Sequence, residues 1–194
     1  MNWEQYKKFI EKNANKEESE ALEIVDEILR HHIDGNWAEY SREQVEFYPR
    51  FVFNGEKERI EMDLLMILKH EKRRYSRKIG IEFKEYDSQK VLSQAITRRR
   101  YVDYMYVATR NIAFSYKEVF LLSYFGIGWI IWEDGFAKMI FPARYTTTDY
   151  IFEEIINLAI ELKLGEKQKE IEEKVSGIMK KASTLDRFIH EQKP

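Results

Sequence analysis

Two carboxylates and a lysine stand out first. Asp63 lies in the run Arg59-Ile60-Glu61-Met62-Asp63-Leu64-Leu65, and Glu82 and Lys84 lie in Ile79-Gly80-Ile81-Glu82-Phe83-Lys84-Glu85. Both runs have the side-chain period of strands, so Asp63 has a face in common with Glu61 and Leu65, and Glu82 with Lys84. A carboxylate held in an apolar sheet is costly unless it is paired or bound to a cation. Two brought close together repel, which raises a pKa or recruits a divalent metal. Hard oxygen ligands suit Mg²⁺ or Mn²⁺. The ammonium of Lys84, on the same side as Glu82, is suited to orient an attacking water or to stabilise charge developing on a phosphate.

Other chemistries are poorly supplied. With no cysteine in the chain there is no disulfide, no thiolate zinc site and no cysteine nucleophile. His31 and His32 are adjacent and point to different helical faces, so a surface or helix-end role is expected. Gly126 and Gly128 are not followed by the Gly-Lys-Ser/Thr of a phosphate loop. No apolar run reaches the roughly 20 residues that span a bilayer, and Met1-Asn2-Trp3-Glu4-Gln5 does not open like a signal peptide. A cytoplasmic location is the expectation.

The elements that must position these groups follow from periodicity. Trp3, Tyr6, Phe9 and Ile10 suggest a short helix, and residues 16–33 an amphipathic one with Leu22, Val25 and Leu29 on its inner stripe. Strands are expected over 44–53 and 59–68, joined through Asn54-Gly55, a strong hairpin signal. The basic stretch 69–78 reads as a turn or hairpin tip, and a third strand follows over 78–86. Asp87-Ser88 can cap a helix over 89–102. A fourth strand at 105–109, a helix at 115–125 ending at Gly126, and two short strands at 128–132 and 136–140 complete the pattern. This predicts an α/β domain over residues 1–148, a mixed sheet flanked by helices, and a charged helical C-terminal extension over 149–194.

Charge is unevenly spread. The net charge is −2, yet residues 69–100 carry eleven Lys/Arg against four acids, which makes that window +7 and leaves −9 for the rest. A basic face of this kind fits phosphate-backbone contact, with Arg73, Arg74, Arg77, Arg98, Arg99 and Arg100 as the contacting side chains. An ordinary solvated surface has the same composition.

Taken together, Asp63 … Glu82-Phe83-Lys84 resembles the motif of the PD-(D/E)XK nuclease superfamily. The expected order αβββαβ over residues 16–110 resembles its restriction-endonuclease-like core. The resemblance implies that Asp63 and Glu82 coordinate Mg²⁺ or Mn²⁺, that the Phe83 main-chain carbonyl adds a ligand, and that Lys84 is the catalytic lysine. Met62 stands where the motif has proline. Gln94, which shares a helical face with Arg98 and Tyr101, matches the Gln or basic residue that the superfamily often carries near the scissile phosphate. Several members place a first-helix Glu at the metal. Glu18, on the inner stripe, is the choice here, with Glu17 and Glu20 as rivals and Glu61 as a supporting group. The implied function is a metal-dependent DNA endonuclease, of a structure-specific, repair or restriction kind, with a homodimer as one assembly. The alternative is a non-catalytic nucleic-acid- or protein-binding module that keeps the fold.

Overall fold

The computed structural model describes residues 1–34, 40–54, 59–70, 76–110, 114–146 and 160. The chain divides into two compact units, one of Met1–Phe51 with Met62–Thr147 and one of Val52–Glu61 with Thr148–Pro194. The expected helical extension over 149–194 lies outside the described residues except at residue 160, as does the Asn54-Gly55 turn beyond Asn54.

Helix α1 (Trp3–Asn13) starts at a capping box in which the Asn2 side chain accepts from the Gln5 N–H and Gln5 returns the bond. The region expected as one helix over 16–33 is three pieces. A 3₁₀ turn at Lys16–Glu18 is capped by Asn15, then comes α2 (Ala21–Leu29), then a π turn at Arg30–Asp34. Asn15 and Glu18 form a reciprocal capping box, which fixes a tight turn ahead of α2. The π turn inserts an extra residue and rotates His32 inward, where its Nε2 lies 2.8 Å from the Tyr106 hydroxyl.

Strands β1 (Tyr40–Asn54), β2 (Arg59–His70) and β3 (Ser76–Lys84) follow. Strand β1 is longer than expected and runs on through Pro49-Arg50, where Arg50 takes a φ of 49°. Next come α3 (Ser88–Arg98) with a 3₁₀ turn at Arg99–Tyr101, β4 (Tyr104–Arg110), α4 (Tyr116–Phe125), β5 (Gly128–Glu133) and β6 (Phe136–Phe141). Asp87 caps α3 by accepting from the Lys90 N–H, as the sequence suggested. Gly126 ends α4 in the left-handed conformation that favours glycine.

The six strands form one mixed sheet in the order β1-β2-β3-β4-β5-β6. Strand β3 is antiparallel to β2 and parallel to β4, β5 is parallel to β4, and β6 is antiparallel to β5. The protein is therefore α/β, with parallel strands joined through helices as crossover geometry requires. One face is the main core, where Leu64, Met66, Ile79, Ile81, Phe83, Tyr106 and Trp132 pack with Tyr6, Ile24, Val25 and Ile28 of α1 and α2. Each fully buried Ile, Leu or Phe contributes roughly 1.5–3 kcal/mol. The opposite parity of β2 and β3 carries Asp63, Gly80 and Glu82. Helix α3 packs against β3, β4 and α4. Among the described residues no helix is long and apolar enough to cross a membrane.

Candidate functional site

The antiparallel register of β2 and β3 pairs Leu64 with Ile81 and Leu65 with Gly80. One step further along the same ladder, Asp63 comes opposite Glu82. Alternation puts both carboxylates on one side of the sheet, away from the face that Ile81 and Phe83 give to the main core. The short connection from Lys84 to α3 then returns the helix so that Arg98, at its last turn, reaches back to β3.

Glu82 is only 1% exposed. Its Oε2 accepts from Arg98 Nη1, while Oε1 is buried and has no hydrogen-bond partner. Burial raises its pKa well above the ordinary carboxylate value, the Asp63 charge raises it further, and Arg98, a hydrogen bond from the Asp63 backbone and Lys84 oppose the shift. Asp63 is half-buried, and its Oδ2 accepts from the Phe83 N–H at 2.8 Å. Burial pushes it from 3.8 to about 6, against the pull of the Phe83 N–H and of Arg98, with Glu17 and Glu18 adding to the rise. These are two mutually repelling carboxylates, one with an unused buried oxygen, and a divalent cation offers the compensation that such a pair needs. The donor set fits a hard cation. Among the described residues no group of three or more His, Asp or Glu side chains is disposed to hold a metal, so water and main-chain oxygens would complete the shell.

Lys84 Nζ lies 2.6 Å from Glu17 Oε1. The structure thus brings Glu17 to the site's lysine. Glu18 is engaged elsewhere: its carboxylate accepts from the Asn15 N–H at 3.1 Å and from Arg50 Nη2 at 2.7 Å and Nε at 3.2 Å. Two sets of donors therefore hold the oxygens assigned to the metal. The pattern Asn15-Lys16-Glu17-Glu18 is a capping box in the sequence itself, and that signal marks Glu18 as a cap. Glu20 lies by the β5–β6 turn, near Asp134 and Gly135. Glu61 is exposed. Phe83 gives its ring to the core and its amide N–H to Asp63.

Helix α3 supplies the remaining residues. Gln94 is half-buried one turn ahead of Arg98 on the same face. The three consecutive arginines do unlike things, because neighbours on a helix point about 100° apart. Arg98 pairs with Glu82. Arg99 is 5% exposed, and its guanidinium donates to the carbonyls of Val102 (2.8 Å), Asp103 (3.2 Å), Phe125 (3.3 Å) and Arg144 (2.6 Å) and to the Thr146 hydroxyl. Expected to contact a phosphate backbone, Arg99 is instead a buried clasp whose donors are committed within the chain. Arg100 is exposed, its guanidinium 6.0 Å from the Tyr101 ring. Arg77 lies over the Tyr145 ring at 4.3 Å. Arg73 and Arg74 fall outside the described residues.

Sequence reasoning also underrated His32. It is 2% exposed, and burial first, then the charges of His31 and Arg77, push its pKa down to about 3. It is a neutral core histidine. His31 is exposed, as expected.

No protein-family model matches the chain, and none of the curated proteins is similar to it. Among solved structures, a protein of unknown function from Silicibacter pomeroyi is similar with a TM-score of 0.42 and 11% identity, covering 70% of this chain and 80% of that one. That likeness is too slight to bear on fold or function.

Proposed function

We propose that this chain is a Mg²⁺- or Mn²⁺-dependent phosphodiesterase acting on DNA, with an active site of the PD-(D/E)XK kind on β2 and β3. One observation carries the proposal. Half-buried Asp63 and buried Glu82 lie on neighbouring strands one step beyond the Leu64–Ile81 pair, both with pKa values raised chiefly by burial, one Glu82 oxygen is unpartnered, and Lys84 follows on the same strand. The strand arrangement supports it, since the run β1-β2-β3-α3-β4 with β4 parallel to β3 is the order expected for a restriction-endonuclease-like core.

In this reading the Asp63 and Glu82 carboxylates would hold the cation, with the Phe83 carbonyl as a further oxygen. The bound cation would acidify a water and neutralise charge on the phosphate. The chain's own residues supply the rest. The Phe83 N–H fixes one Asp63 oxygen at 2.8 Å and so orients the other. Glu17 holds the Lys84 ammonium at 2.6 Å, close to the carboxylates, where it can donate to an attacking water or a phosphate oxygen. Gln94 shares a face of α3 with Arg98, and in this reading it would lie near the scissile phosphate. Arg77 and Arg100 would steer the backbone in this reading, a sequence-independent role.

The test is cleavage of plasmid, single-stranded and branched DNA in Mg²⁺ and in Mn²⁺. Cutting is expected, and Asp63→Ala, Glu82→Ala and Lys84→Ala each reduce it by at least about a hundredfold. Full activity in Asp63→Ala would dismiss the mechanism.

A second reading rests on the ion pairs Glu82–Arg98 and Lys84–Glu17, which neutralise the site internally. There the chain is a non-catalytic binding module. It would show salt-sensitive DNA binding, weakened by Arg100→Ala, with no turnover in either metal.

A further inference from the structure

The carboxylate pair already has a cation beside it, one that belongs to the protein. Arg98 Nη1 donates to Glu82 Oε2, and the Glu82 carboxylate it touches is 1% exposed, with its second oxygen unpartnered. The Arg98 side chain is itself 12% exposed, so it borders solvent. It stands at the last residue of α3, where the helix hands over to the 3₁₀ turn Arg99–Tyr101. Arg98 is the one charged group hydrogen-bonded to Glu82 among the described residues, and the Asp63 backbone is the other group that favours its ionised form by hydrogen bonding.

We propose that Arg98 is a built-in competitor for the divalent cation: its guanidinium holds Glu82 until the metal enters, and the metal binds only as Arg98 lets go. This inference rests on the metal-site reading above. The physical reason is charge repulsion. A divalent ion beside a guanidinium in a buried, weakly screened site meets strong repulsion, so the two cations cannot both sit on Glu82 at little cost. Arg98 therefore keeps the apo site folded, since a buried carboxylate stripped of its partner is strongly destabilising. It also sets a threshold below which the site does not load. Trace metal would be excluded, and Glu82 would be delivered to the metal already oriented. The opposite reading has Arg98 as a permanent second-oxygen partner that helps Glu82 stay ionised and so assists the metal. The two differ in sign, which makes them separable.

The experiment is calorimetric titration of Mn²⁺ into the full chain at one fixed near-neutral pH, with thermal unfolding in parallel. Wild type, Glu82→Gln and Arg98→Gln are compared. The expected result is binding by wild type, a loss of tenfold or more in Glu82→Gln, and binding about tenfold tighter in Arg98→Gln, the scale of one released charge-assisted hydrogen bond. The metal-free melting temperature of Arg98→Gln should fall, and its rise on adding Mn²⁺ should exceed that of wild type. Binding by Arg98→Gln alone would support the competitor role in its strongest form. Unchanged or weaker binding in Arg98→Gln, with Glu82→Gln defective, would overturn the competitor role and leave the metal site standing. Equal binding by Glu82→Gln and wild type would overturn the metal site itself, and no binding by any of the three would overturn both. If Arg98→Gln does not fold, Arg98→Lys takes its place. A single ammonium in place of the planar fork should give a smaller gain in affinity, and equality or weakening would again overturn the proposal.

Discussion

If Asp63 is kept for chemistry, it should cost the apo protein stability, and the cost should depend on pH in a defined direction. Its pKa rises from 3.8 to about 6 on folding, chiefly through burial. The native state therefore holds a proton that the unfolded state has already released. Between these two values stability falls as pH rises, and above them the loss is constant. Two pK units at about 1.4 kcal/mol each make the ionised form about 3 kcal/mol less compatible with the native state. Asp63→Asn removes the charge and keeps an oxygen to accept from the Phe83 N–H. It should stabilise the metal-free protein by up to about 3 kcal/mol near neutrality, or roughly 6–12 °C in Tm for a chain of this size. At about pH 4, where the native Asp63 is largely protonated, the gain should nearly vanish. Urea unfolding of both proteins in chelator, followed by circular dichroism across that range, gives the difference directly. A destabilised Asp63→Asn near neutrality, or a gain of the same size at both ends, would refute the reasoning.

His32 is held neutral with a pKa of about 3 against an ordinary 6.5, so its contribution is lost as pH falls below 6.5. At about pH 5 that amounts to about 2 kcal/mol, and His32→Leu should flatten this acid limb in the same urea titration. Arg99→Met should lower stability by on the order of 3–5 kcal/mol, because carbonyls of four residues lose a buried donor. Calorimetry of the purified variant checks it. Gly128→Ala should destabilise more than Gly80→Ala, as compared by melting temperature. The new methyl at 128 meets the Ala143 backbone nitrogen at 2.5 Å and the Tyr106 ring at 2.4 Å, whereas at 80 it meets the mobile sulfurs of Met62 and Met105.

The pairing of Asp63 with Glu82 was legible because a strand has a period of two and a hairpin makes neighbours of consecutive strands. The α3 start was legible for a similarly local reason, the Asp87 cap. What the sequence hid is set by long-range contact. Glu17 and Glu18 are adjacent in composition and charge, and only the meeting of the 3₁₀ turn with Arg50 on one side and Lys84 on the other assigns them. The capping box at Asn15 was a readable clue, yet a helical stripe through Leu22 and Val25 argued the other way. Arg98-Arg99-Arg100 reads as one basic patch until the helix rotation separates a site partner, a buried clasp and an exposed side chain. His32 turned inward through an extra residue in the helix end, which apolar periodicity does not reveal.

Arg98 and Arg99 are joined by a single peptide bond, and the second of them grips the far segment at Arg144 and Thr146. That segment is itself stitched down, with the Arg144 N–H on the Gly126 carbonyl at 2.9 Å and the Thr146 N–H on the Asp103 carbonyl at 3.0 Å. A tug on the chain at 144–146 therefore arrives at Glu82 by way of one helix end, with no contact to either carboxylate. Thr146→Val, which removes one anchor, should register as a change in Mn²⁺ affinity. An unaltered titration would show that the end of α3 holds its position without that moorage.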